Sequence, residues 1–171
     1  MNIGLTIGIF DFLLIFAIII ILKLKKIDFS RQGNFILASL LIHFIFFGYI
    51  CNVYLKTIGE NILFLYQVMF NSTSFYSAII LFILVFIMVF REDFYEYGIR
   101  NSIWLVLVIV IESWIWYFFI VDFDILIIFI YFTRYESYLT ILSLVGLNLV
   151  AAIAGAFVKQ EYVERFKKVI E

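Results

Sequence analysis

Proline is absent from this chain, where about 5% would be ordinary. That argues against transporters built on proline-broken helices, although glycine can also break a helix, and there are 8 glycines. Cys51 is the only cysteine, which rules out an internal disulfide and any Cys-x-x-Cys redox pair. His43 is the only histidine, so a bis-histidine haem cannot form within the chain. Charged residues make up 15% and the net charge is −1, which gives a nucleic acid nothing to bind. Phosphate loops, metal-ligand clusters, nucleophile elbows and acidic pairs at metal spacing are missing from the sequence. The expectation is therefore no catalytic residue, no metal and no cofactor held by this chain.

What fills the space is apolar. The 171 residues are 66% hydrophobic and include 22 Phe and 11 Tyr, whereas a soluble domain is closer to half apolar. At roughly 20 residues per span, five or six spans use nearly the whole length. The predicted fold is an all-α integral membrane domain of about five transmembrane helices. Their expected ranges are 3–22, 35–55, 61–90, 103–121 and 138–158, with a short basic amphipathic tail over 159–171. Lys23, Lys25 and Lys26 follow the first apolar run and none precedes it, which points to a retained helix and not a cleaved signal. Phe, Ile, Tyr, Asn and Lys use AT-rich codons. The composition therefore suggests an AT-rich genome, either mitochondrial or that of a low-GC microbe.

Positive charge alternates between the loops. Lys23, Lys25, Lys26 and Arg31 lie in the first, Arg91 and Arg100 in the third, and Lys159, Arg165, Lys167 and Lys168 in the tail. The second carries Lys56 and the fourth Arg134. The positive-inside rule then predicts the N-terminus outside and the C-terminus in the matrix or cytoplasm. Trp104 and Trp116 fall toward opposite ends of the fourth span, as aromatic belts do.

Two segments do not read as plain spans. Residues 61–90 would make a helix of roughly 45 Å, against roughly 30 Å of hydrocarbon, and Asn71-Ser72-Thr73-Ser74 interrupts them. Either a long tilted helix bonds these hydroxyls back to its own carbonyls, or the helix is π-bulged or broken there. Asn71, Ser74 and Ala78 are the hinge or bulge candidates. Residues 122–132 are apolar but short, and read as an interfacial or re-entrant piece.

Isolated polar groups inside apolar runs are costly in lipid and are functional candidates by default. Glu112 sits in the middle of the fourth span, in Val108-Ile109-Val110-Ile111-Glu112-Ser113-Trp114. A carboxyl there must face protein or water, and could carry a proton or serve as a structural contact. Asp11 lies mid-way along the first span, after Gly4 and Gly8, whose spacing lets another helix come close. His43 in the second span and Tyr76 in the third complete the proton-pathway candidates, although residues so placed are more often packing groups than relays. Gly146, Ala151, Ala152 and Gly155 form a small-residue stripe on the last span, which predicts tight helix packing within the chain or against a partner.

Five spans in this length, with Thr133-Arg134-Tyr135 before the last and Gly155-Ala156-Phe157-Val158 closing it, resemble a known family. Tyr76-Ser77-Ala78-Ile79 leads into Leu81-Phe82-Ile83-Leu84-Val85-Phe86-Ile87-Met88 in the third. The layout is similar to subunit six of mitochondrial NADH dehydrogenase and the J subunit of bacterial respiratory complex I. Two departures stand out. Ser30-Arg31-Gln32-Gly33-Asn34 lacks the family's proline after the first helix, and Ala78 stands where its glycine is expected. The resemblance implies a non-catalytic membrane-arm subunit of a proton-translocating NADH:ubiquinone oxidoreductase, in the mitochondrial inner membrane, with other membrane subunits and lipid as partners. It also implies a π-bulged third helix, with Tyr76 and Ala78 at the hinge. Two other readings stay open: a substrate-binding membrane component of a small-solute transporter, and an accessory structural subunit of a respiratory or ATP-synthase complex.

Overall fold

The computed structural model describes residues 33–51, 53, 61–70, 74–121 and 123–170, with isolated positions 13, 16, 17, 20 and 24. Most of the expected first span, including Gly4, Gly8 and Asp11, lies outside the described residues, as does Asn71. Among the described residues there are helices and the connections between them, and no strand.

Helix α1 runs over Gly33–Leu41 and continues as a π-helix over Ile42–Ile50. The wide winding persists at its end: the Cys51 N–H donates to the Phe46 carbonyl at 2.8 Å, and the Val53 N–H to the Phe47 carbonyl at 3.2 Å. π-Winding is rare and frequently marks functional segments. Helix α2 spans Phe64–Phe70 and opens on an Asn turn, in which Asn61 Oδ1 accepts from the Leu63 N–H at 2.9 Å. Helix α3 spans Ser74–Arg91, and the axis turns by 98° between Phe64–Phe70 and Phe75–Arg91. Among the described residues the third apolar segment thus has two helices.

Helix α4 is Tyr95–Ile120, eight residues earlier in its start than the charge pattern predicts. Nothing in Tyr95-Glu96-Tyr97 opposes helix, and Glu96 in the first turn suits the positive end of the helix dipole. Helix α5, Leu126–Thr133, is the short piece expected over 122–132; Asp124 Oδ1 starts it by accepting from the Leu126 N–H at 2.9 Å. Helix α6 is Tyr135–Ile170. The basic tail is therefore a continuation of the last helix. No proline or glycine follows Gly155 to stop it, and pairs one turn apart line its polar end, Glu161 with Arg165 at 3.6 Å and Gln160 with Glu164 at 3.2 Å.

Three helical stretches, Gly33–Ile50, Tyr95–Ile120 and Tyr135–Arg165, are long and apolar enough to cross a membrane, and the bent pair makes a fourth if counted as one span. The described residues thus give an all-α membrane architecture of three to four spans and not the expected five. The remaining expected span lies outside them.

Helix α6 is the organising element. It packs against both α3 and α4, which also touch each other, while α1 closes against α3 and α4, and α2 against α3. The closest approach is at Gly155, where a Cβ would lie 2.9 Å from the Phe86 carbonyl oxygen and 3.3 Å from Val89 Cβ. Gly98 of α4 is similarly tight against Val89, at 2.8 Å. Ala151 and Ala152 of α6 are fully buried. Gly146 differs: it is exposed, and a Cβ there would meet nothing within 4 Å. The small-residue stripe is a contact at its C-terminal end only.

Packing in lipid rests on such close contacts more than on apolar burial. Gly155→Leu is expected to destabilise the fold by about 1–3 kcal/mol, read as a shifted SDS-unfolding midpoint in lipid–detergent micelles. Gly146→Ala should be neutral or stabilise by up to about 1 kcal/mol.

Candidate functional site

Histidine is uncommon in an apolar helix, and here the π-helical turn buries it. Ile42, His43, Phe46 and Phe47 form the inward face of that segment. Across from it, α4 presents Glu112, the only acidic group mid-way along a candidate span among the described residues. His43 Nδ1 lies 3.8 Å from Glu112 Oε2, and the two side chains are only 10% and 14% exposed. That spacing is within ion-pair range and longer than a hydrogen bond.

Two aromatic rings pack against the imidazole. It stacks on the Trp116 ring, with centroids 5.0 Å apart and planes at 23°, and meets the edge of Phe44 at 5.1 Å. Trp116 is 1% exposed, so it is a core residue and not the belt residue expected from its position near the helix end. Trp104 is 57% exposed and retains the outward placement. Trp116 follows Glu112 by one turn, so a single face of α4 supplies both the acid and the platform that orients its partner.

The other sequence candidates fall elsewhere. Tyr76 is 72% exposed on the outer side of α3. Ala78 lies inside a helix that is α throughout Ser74–Arg91, and Ser74 opens it. Among the described residues the π-segment lies in the second expected span. Asp11 and Asn71 lie outside the described residues.

Further polar groups are buried that the sequence did not single out. Asn148 is 0% exposed, and its Nδ2 donates to the Ser102 carbonyl of α4 at 2.9 Å. Ser102, also fully buried, donates its hydroxyl to the Ile99 carbonyl at 2.7 Å. Ser113 does the same to Val110 at 2.6 Å, the usual way an apolar helix satisfies a hydroxyl. Beyond Ser102 toward the α3–α4 connection, Asn101 Nδ2 donates to Glu92 Oε1 at 3.2 Å. Glu92 is itself 7% exposed, and the Lys159 ammonium donates to its backbone carbonyl, a cation at the negative end of α3. The signal for Asn148 was in the stripe itself, since it precedes Ala151 and Gly155 by one and two helical turns.

No protein-family model matches the chain, and no curated protein or solved structure is significantly similar to it. Among the described residues no group of three or more His, Cys, Asp or Glu is placed to hold a metal ion. The site is thus a buried acid–imidazole pair between two apolar helices, and both of its side chains are of types able to bind a proton.

Removing the platform should loosen the pair. Trp116→Ala is expected to destabilise the fold by about 2 kcal/mol or more through the cavity left behind. Trp104→Ala should change stability by no more than about 0.5 kcal/mol. Parallel SDS titrations of the two variants check the contrast.

Proposed function

We propose that this chain is a proton-handling membrane subunit, with Glu112 and His43 as its proton-carrying pair. The observation that carries the reading is the 3.8 Å contact between two titratable side chains, both mostly buried and brought from separate apolar helices. A charged or titratable group in a span is expensive, and chains that keep one there pair it and use it. A purely structural contact would be served as well by apolar residues of the same volume.

The finer assignment is to the membrane arm of an NADH:ubiquinone oxidoreductase-like complex, coupling quinone reduction to proton movement beside other membrane subunits. Its support is the resemblance of the sequence's layout to subunit six of mitochondrial NADH dehydrogenase and its bacterial J-subunit relative. The orientation with the N-terminus outside, and the inner membrane of an AT-rich mitochondrion as the location, belong to the same proposal. The hinge in this reading moves from Ala78 to the π-segment at Ile42–Ile50, which carries His43.

Glu112→Gln is expected to lower proton transfer by about 100-fold or more while the chain stays in its assembly. Dye-reported proton uptake by membrane vesicles checks the first, and mass spectrometry of the tagged chain's neighbours checks the second. Unaltered proton uptake in an assembled Glu112→Gln complex would reduce the pair to a structural contact. Isolation of the native chain as a lone, functional monomer would remove the respiratory-complex assignment.

A further inference from the structure

The pair must exchange its proton with an aqueous side, and the buried polar groups are not scattered. Ser102 and Glu112 lie on the same helix, ten residues or about 15 Å apart. Between them Leu105, Val106 and Ile109 are buried and apolar. On the far side of this collar stands Asn148, held by its Nδ2 to the Ser102 carbonyl. Its Oδ1 is buried and has no hydrogen-bond partner among the described residues. A buried amide oxygen left in that condition is costly, and a water is what ordinarily satisfies it. Helix–helix adhesion would use the Nδ2 bond alone and does not account for the acceptor. One residue further along α4, Asn101 binds Glu92 Oε1, so a buried carboxylate terminates the row at the α3–α4 connection.

We infer that Asn148 orients water on the path by which the Glu112–His43 pair exchanges protons with Glu92, at the α3–α4 end of the bundle. This rests on the proton-carrying reading of the pair. The proton leaves the Glu112 carboxyl, which becomes a carboxylate, and passes along waters that each accept one proton and release one. The Glu92 carboxylate receives it and becomes the carboxyl; the reverse transfer restores both. Asn148 does not titrate. It is a positioning residue, and the collar of Leu105, Val106 and Ile109 limits the traffic by keeping the two polar groups apart until water enters.

Infrared spectroscopy of the full chain in lipid vesicles tests this without needing turnover. The carboxyl C=O band that disappears in Glu112→Gln belongs to Glu112, and its shift after transfer to D2O times proton access. Asn148→Leu and Glu92→Gln should each slow that exchange by about tenfold or more. Asn148→Ser, which keeps an acceptor, should stay nearer the native rate. Native rates in both Asn148→Leu and Glu92→Gln would overturn the path and leave the pair as the carrier. Absence of any Glu112 carboxyl band would overturn the carrier reading and the path together. If Asn148→Leu does not fold, Glu92→Gln alone decides, a native rate counting against the path.

Discussion

Lipid offers no hydrogen bonds, so polar groups inside an apolar helix turn to partners within the protein or to enclosed water. The arrangement of the described helices follows from that constraint. Ser102, Ser113 and Thr140 turn their hydroxyls back onto carbonyls three or four residues earlier. Ser137 reaches the Tyr131 carbonyl across the α5–α6 connection. Asn148 reaches a carbonyl on another helix, and Lys159 reaches the carbonyl at the end of α3. Glu112 meets His43 across the α1–α4 contact.

Burying an acid beside an imidazole brings a desolvation penalty that attraction between the two only partly offsets. The surrounding side chains bear on that balance by geometry. Trp116 fixes the imidazole plane, and the π-winding of Ile42–Ile50 sets which turn of α1 faces α4. Small residues contribute from a distance. Gly155 and Gly98 let α6 and α4 close on α3 at Phe86 and Val89, and α4 is thereby set in the position from which Glu112 meets His43.

Much of the architecture was legible in composition and charge. Apolar runs bounded by Lys and Arg clusters located α1, α4 and α6, and the polar patch before Phe75 marked the place where α2 and α3 part. Helix ends were less legible, because the chain has no proline and few glycines to stop a helix: α4 begins before its apolar run and α6 continues through Lys159 to Ile170. Glu112 and His43 were each visible as lone polar residues in apolar stretches. Their contact was not, since helix pairing is a tertiary fact that a single sequence does not encode in any local period. The π-segment was sought near Ala78 and lies at Ile42–Ile50, in a run of Ile and Phe with no local signature of such winding. Trp116 misled for a related reason, as a position near a helix end is the same for a belt residue and for a buried platform.

The account depends on the contact between His43 and Glu112, and the single histidine makes that contact directly measurable. Nitrogen-15 labelling of histidine in the full chain in lipid bilayers produces one imidazole, so solid-state NMR reads its two ring nitrogens without assignment. The account predicts that Glu112→Gln shifts the His43 Nδ1 resonance. Identical His43 spectra in the native chain and in Glu112→Gln would contradict it.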